Sequence, residues 1–371
     1  MPTSRVLALT FLAALAGTAA ASDIRFGGAR TFGLAGTGIA LPLDVYETHT
    51  INPALLGFAG KRLRFGVPSF GYHTDGISLG GVSDLIGDID KGGVSNDEVV
   101  RLARKYGSDT KEFGLNGGLG ASYGGFALSG GAEAVVRSVP NASLKAFLAS
   151  GNDDFKDTPI DARLDAYGLG YYQTNASYGH ELRLGGGNRL SLGATVRAVS
   201  AFYAHKVADS SAISDDGDVR NGSEIAAGDD VIQRSSFGID LGAVGSLRAV
   251  PNAYFGLRVH NLVEPKINFV RTMPDTDFPL RHDLRPFRRD IGVGAAYVKN
   301  NVLFAADLID LGNHAGAAGF RVGAEYSVNK YFALRAGYDS RSKFVVGLNL
   351  GGINLAYAPD GSTSLVSTIR F

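Results

Sequence analysis

The sequence predicts an all-β chain: a transmembrane, antiparallel up-and-down β-barrel of about 14 strands with its own N-terminal segment in the lumen. Three observations lead there. Apolar and polar side chains alternate with period two in segment after segment. The connections between those segments switch between long and short, as in barrels that put short turns on one side of a membrane and long loops on the other. The chain opens on an export leader, and no later apolar run reaches the ~20 residues a helix needs to span a bilayer.

The clearest alternating segment is 190–204. Leu190, Leu192, Ala194, Val196, Ala198, Phe202 and Ala204 share one face, and Arg189, Ser191, Thr195 and Arg197 the other. A strand of this kind has one apolar and one polar side. The same rule marks 113–123, 126–136, 164–178, 237–247, 253–263 and 291–297, then 302–308, 320–328, 332–338, 344–350, 353–357 and 365–371. Segment 63–72 is a less regular strand. The spans 74–111, 140–162, 205–234 and 264–288 are long, whereas 124–125, 248–252 and 299–300 are short and 179–188 is moderate. A soluble sandwich has no reason to keep that parity. With the first strand starting in the periplasm, every long loop falls outside and both chain ends inside. The last strand ends in Phe371, with Leu365 and Ile369 on the same face, which looks like the signal read by the outer-membrane insertion machinery.

Residues 1–21 hold Arg5, an apolar run from Val6 to Ala16 and Ala19-Ala20-Ala21 before Ser22, the layout of a cleavable secretory signal. The 51 glycines in 371 residues are near twice the ordinary ~7% and point to turns and crowded strands. The absence of cysteine removes disulfides, thiol catalysis and Cys-bound metals. Net charge is zero, with Lys and Arg spread along the chain, so there is no basic footprint for nucleic acid.

Residues 22–60 form a separate N-terminal unit ahead of the barrel, 61–371. Phe26-Gly27-Gly28-Ala29-Arg30-Thr31-Phe32-Gly33-Leu34-Ala35-Gly36-Thr37-Gly38 carries neither a helical stripe nor strand alternation. A small cross-section and many glycines suit a compact plug threaded through something larger, where backbones approach closely. The pattern Gly-Ala-Arg-x-Phe-Gly-Leu-Ala-Gly-Thr-Gly, followed by Asn52-Pro53-Ala54, resembles the N-terminal hatch of the FadL-type outer-membrane transporters, and more closely that of their shorter TraF-like relatives. Glu47-Thr48-His49 departs from the small residues of that pattern. The resemblance implies a hatch whose gating residues are Arg30, Phe32, Gly33, Gly36, Gly38, Asn52 and Pro53. Asn52 and Pro53 are expected in a tight turn, with the Asn side chain bonded to nearby backbone.

With apolar faces toward lipid, the opposite faces put Arg197, Asp240, Arg258, Asp307, Glu325 and Arg335 in the lumen, with Glu133, Arg137, Arg163, Asp165, Arg189, His260, Asp290, Arg321 and Asp339. An Arg or Lys facing lipid at mid-depth would cost about 2–4 kcal/mol. Two readings of these charges stand: an ion-pair mesh tying wall to plug, or a polar path that binds a head group. Arg30 is expected to meet the mesh through Asp307 or Glu325. In the first long loop, Ser95 and Glu98 cap an amphipathic helix over 95–106 with Val99, Leu102, Ala103 and Tyr106 on its stripe, either a lid on the rim or part of a ligand groove. Leu102, Tyr106, Phe147 and Phe269 are the apolar candidates for that groove.

The basic run 281–289 is either a solvated face or a site for lipopolysaccharide phosphates or a carboxylate ligand. Asp153-Asp154 and Asp215-Asp216-Gly217-Asp218 offer oxygens to calcium, but the second departs from the EF-hand pattern at Arg220 and Asn221, and no metal site is assigned. The seven His form no His-x-x-x-His and no Gly-x-Ser-x-Gly elbow is present. Residues 33–38 have glycines in the wrong order for a dinucleotide fingerprint. No cofactor and no catalytic residue is expected, and an outer-membrane lipase or deacylase would need one Ser and one His brought together by the fold. The expectation is therefore uptake of small hydrophobic or amphipathic molecules, such as long-chain fatty acids, through a plugged barrel surrounded by lipid and lipopolysaccharide. The alternative is a non-transporting component of a secretion, conjugation or envelope assembly.

Overall fold

The computed structural model describes residues 28–42, 48–75, 111–150, 163–209, 232–267, 287–313, 318–329, 331–340, 343–358 and 363–369. The leader, the helix over 95–106, both acidic clusters, most of the basic run, Leu102, Tyr106, Phe269 and Phe371 lie outside the described residues.

The strands are β1 (Arg64–Asp75), β2 (Lys111–Tyr123), β3 (Phe126–Pro140), β4 (Arg163–Arg183), β5 (Arg189–Asp209), β6 (Ile232–Ser246) and β7 (Ala253–Val263), then β8 (Asp290–Lys299), β9 (Val302–Ile309), β10 (Gly319–Asn329), β11 (Phe332–Asp339), β12 (Lys343–Leu350), β13 (Ile353–Tyr357) and β14 (Thr363–Ile369). Each pairs antiparallel with its sequence neighbours, and β14 closes on β1. Tyr72 of β1 faces Leu115 of β2 on one side and Leu365 of β14 on the other. Closure leaves no strand edge unpaired, which is what allows a sheet to cross lipid. Among the described residues no helix is long and apolar enough to cross a membrane; the strands do the crossing.

The connections at one end, from Gly124-Gly125 to Gly351-Gly352, are all six residues or fewer, and the long connections all lie at the other end, which also holds the short links 340–342 and 358–362. Strands β4 and β5 run 21 residues each against 8 for β9. Their turn-side ends are level with those of the neighbouring strands, Arg183 opposite Arg189 and Arg189 opposite Ser246. The extra length therefore stands up on the long-loop side. Strand β5 continues to Asp209 and β6 begins at Ile232, so the connection 205–234 expected from alternation is shorter at both ends. The irregularity of β1 has a local cause. One extra residue between Gly66 and Ser69 makes a bulge at Val67-Pro68, where proline brings no N–H to the ladder.

Side chains sort by face. Leu128, Val196, Leu257, Phe304, Val322 and Leu334 point outward and are 43–64% exposed, whereas Arg197, Asp240, Arg258, Asp307, Arg321, Glu325, Arg335 and Asp339 point inward and are 1–6% exposed. The outer belt is apolar and most of the inner charges are paired across strands, the arrangement that avoids the cost of a charge in lipid.

Residues 28–42 and 48–58 lie inside the cylinder. They form two short helices, α1 (Gly28–Phe32) and α2 (Thr48–Ile51), and a 3₁₀ turn (Pro53–Phe58). Ala29, Leu34, Ala35 and Ile39 are wholly buried. A third short helix, α3 (Ala142–Ala149), is capped by Asn141, whose side-chain oxygen accepts from Leu144 N.

Candidate functional site

The inner wall is shaped for the segment it holds. A Cβ at Gly256 would lie 2.5 Å from the Ile39 carbonyl oxygen, one at Gly323 would lie 2.6 Å from Thr37 Oγ1, and one at Gly347 would lie 2.9 Å from Gly33 Cα. At Gly193 and Gly242 a Cβ would overlap Pro53-Ala54 and the Asn52 side chain. Backbone therefore packs on backbone along a band of wall glycines, with Gly193 opposite Gly242 and Gly323 opposite Gly337 in the ladder.

Polar contacts fix the segment on that seat. Arg30 donates from Nε and Nη2 to the two oxygens of Glu325 at 2.8 and 2.5 Å. Glu325 also accepts from Arg335 Nε at 2.5 Å. Asp307, the other carboxylate considered for Arg30, instead accepts the backbone N–H groups of Gly38 and Ile39 at 2.8 and 3.2 Å. Asn52 joins three pieces of chain. Its Oδ1 accepts from Ala54 N at 3.1 Å and so caps the 3₁₀ turn, while Nδ2 donates to Ile39 O at 2.7 Å and to Leu257 O of the wall at 3.2 Å. Ser191 donates to Ala54 O at 2.6 Å. Phe32 packs with Val345, Ala356 and Ala358. Gly36 closes α1, its N–H bonded to Thr31 O at 2.8 Å with φ +77°, in the left-handed region that favours glycine.

Most of the other luminal charges pair wall to wall. Arg197 donates to Asp240 at 2.5 Å, Arg258 pairs with Asp290, and Arg321 donates to Asp339 at 2.7 Å. Asp240 and Asp290 also hold backbone in place, since their other oxygens accept the N–H of Asn261 and Asp310, both left-handed residues. Asn261 sits in a bulge of β7, where the register with β6 slips between Ile239 and Leu241. His260 Nδ1 is 3.1 Å from Arg197 Nη2. These pairs hold the wall in shape, and Arg30 carries an ion pair from the luminal segment to it.

One Ser and one His do meet. His49 Nε2 is 3.0 Å from Ser129 Oγ, which also accepts from Asn175 Nδ2 at 3.2 Å. His49 is 1% exposed and Ser129 8%, so the contact is enclosed and fastens the segment to β3.

Above the charged tier the inward face changes character. Leu169 and Tyr171 of β4, Val199, Ala201 and Tyr203 of β5, and Ile267 and Phe287 from the connection between β7 and β8 form one buried apolar cluster. The Tyr171 and Phe287 rings meet edge to face at 4.8 Å. Of the four residues expected to line a groove, only Phe147 is described; it is 6% exposed on α3 and is no member of this cluster. Reading the inward face of β5 past Arg197 would have found Val199, Ala201 and Tyr203.

Residues 49–350 match the family described as "F plasmid transfer operon, TraF, protein". The chain belongs to that TraF family. No curated protein matches this TraF-family chain in sequence. Its structure is similar to the toluene transporter TbuX of Ralstonia pickettii, at 13% identity and a TM-score of 0.51 over 94% of this chain and 99% of that one. It also aligns with a FadL homologue of Pseudomonas aeruginosa (10% identity, TM-score 0.46, 96% and 100% covered). A third alignment is with the toluene transporter TodX of Pseudomonas putida (13% identity, TM-score 0.42, 95% and 96% covered). At 13% identity the TbuX likeness shows a shared fold alone, the same barrel architecture in this TraF-family chain.

Proposed function

We propose that the chain is an outer-membrane transporter that takes up small hydrophobic or amphipathic molecules, long-chain fatty acids among them, through a barrel stoppered by residues 28–58 as a hatch. The apolar cluster around Tyr171, Val199, Tyr203 and Phe287 carries this reading. A water-filled pore would keep a polar inward face, whereas this one turns into a closely packed apolar tier above the charges, where a hydrophobic solute leaving the outer loops would arrive. The hatch contacts of Arg30 and Asn52 are the tethers that passage must loosen; Gly33 and Pro53 lie close against the wall, while Gly38 packs on Ile51 and Gly36 turns the chain within the segment. Residues 1–21 act as the export signal. TbuX, whose barrel this one resembles, is named a toluene transporter.

The family description favours a second reading, a component of a conjugation or envelope assembly that carries no solute. Uptake separates the two. A deletion strain complemented with the wild-type chain or with Tyr203→Asp is given labelled oleate and labelled toluene. Uptake restored by the wild type and reduced about tenfold by Tyr203→Asp supports transport. Equal uptake with and without the chain supports the assembly component.

A further inference from the structure

We infer that the short-turn mouth of the barrel, beneath the luminal segment, is a docking surface for an acidic periplasmic protein. Three connections adjoin there: 59–63 ahead of β1, 184–188 between β4 and β5, and 247–252 between β6 and β7. Arg248 N donates to Asn188 Oδ1 at 3.0 Å, and Arg189 lies over the ring of Phe58, 4.7 Å from its centroid. This surface carries Lys61, Arg62, Arg64, Arg183, Arg189 and Arg248. Glu181 is the one acidic residue among the described residues of these connections and the strand ends beside them, and it is already held by Arg189 through two bonds of 2.6 and 3.0 Å. Lys61, Arg62, Arg183 and Arg248 are exposed and make no ion pair among the described residues. The whole chain has zero net charge, so the cations gathered at this mouth are balanced elsewhere along it.

Strand parity separates a soluble partner from the membrane. The inward row of β4 runs Ser177, Gly179, Glu181, Arg183, and that of β5 starts at Arg189 and Ser191. The outward row at the same level holds Leu182, 39% exposed, and Phe65, 65% exposed. Arg183 and Arg189 therefore lie on the lumen side of the rim while apolar side chains at the same level face outward, the reverse of a surface built for lipid head groups. Spread over three turns and open to solvent, they do not converge on a buried pocket for a small anion. An extended carboxylate-bearing face fits them by charge complementarity. Leu63, 60% exposed, and Leu247, 47% exposed, offer apolar contact among the charges. A Cβ at Gly60 or Gly185 would meet nothing within 4 Å, so the turns present an unobstructed surface. Because Phe58 ends the luminal segment and touches both Arg189 and Tyr254, a protein seated here would press directly on that segment.

The test uses the full chain in nanodiscs, a fluorescent polyglutamate peptide as the acidic probe, and the variant Lys61→Glu/Arg62→Glu/Arg183→Glu/Arg248→Glu, with heat-modifiable gel migration as the folding control. The expected result is binding that weakens about tenfold in the variant, because reversing four exposed charges turns each attraction into repulsion. Binding should also weaken as salt rises from about 50 to about 500 mM and be the same in phosphatidylcholine and phosphatidylglycerol nanodiscs. The neutral variant Arg62→Gln/Arg183→Gln should fall between. Equal binding by wild type and variant, no binding by the wild type, or an effect seen only with phosphatidylglycerol would each overturn the proposal, the last in favour of a lipid-facing role.

Discussion

Arg30 of the luminal segment and Glu325 of β10 are 295 positions apart in sequence and joined by two hydrogen bonds. Glu325 is shared with Arg335 on the adjacent strand, where the two residues face each other in the ladder. One carboxylate thus answers two guanidinium groups, 4% exposed itself against 14% and 2% for its partners. Replacing Glu325 with Gln leaves two cations in the lumen without their anion. Breaking a buried pair in this way costs about 3–5 kcal/mol. The expected outcome is a barrel that still migrates as folded but whose N-terminal segment is cut faster by protease, read by the rate of cleavage within 28–58.

The wall glycines predict a steric experiment. Valine at position 323 would project into Thr37 and the Leu34 carbonyl. The chain has no cysteine, so Thr37→Cys provides a single label. A thiol reagent should modify it slowly in the otherwise wild-type barrel, where Thr37 is 0% exposed, and at least about tenfold faster when Gly323→Val is added. Such a change corresponds to about 1.4 kcal/mol in favour of the displaced segment.

The apolar cluster predicts a separation of transport from folding. A carboxylate in place of Tyr203, on the inward face and 2% exposed, lies far from the lipid belt. Thermal unfolding in detergent should drop by a few degrees, the scale expected for about 1–3 kcal/mol from an unpaired buried polar group, while the gel shift of the folded barrel persists. Conductance to small ions should stay unchanged.

The lipid belt makes a prediction of opposite form. Leu128 faces outward at 64% exposure and Ala127, its neighbour on the same strand, faces inward at 4%. Leu128→Arg should cost about 2–4 kcal/mol in lipid vesicles, and much less in a micelle that can deform around the charge. The difference between the two unfolding midpoints is the measurement.

Much of the barrel was legible because a strand with lipid on one side and a polar lumen on the other must alternate, and because the two ends differ in loop length. Leu192, Val196 and Arg197 show the rule within one segment. It fails where both faces are apolar. Past Arg197, Val199, Ala201 and Tyr203 continue inward with no polar partner row, so alternation stops although β5 runs on to Asp209. The same stretch holds the apolar cluster. Its remaining members, Ile267 and Phe287, come from a connection with no period to read, and only tertiary packing brings them to β4 and β5. Asp307 and Glu325 were equal candidates for Arg30 because both are inward acids on neighbouring strands. What separates them is that Gly38 and Ile39 present bare N–H groups to Asp307, a backbone detail no side-chain pattern records. Glycine content announced close packing, but which glycines face the segment depends on register.

Locking the luminal segment to the wall tests most directly whether it must shift for solute to pass. A Cβ at Gly323 would lie 3.0 Å from Leu34 Cβ, a little under the ~3.5–4.5 Å of a disulfide, and there is no native cysteine to compete. Leu34→Cys/Gly323→Cys, oxidised in cells and assayed for uptake of labelled oleate and toluene, should form the intramolecular bond, which holds the segment against the displacement that a Cβ at 323 favours, lose uptake, and regain it on reduction. Full uptake with the bond intact would contradict a moving plug.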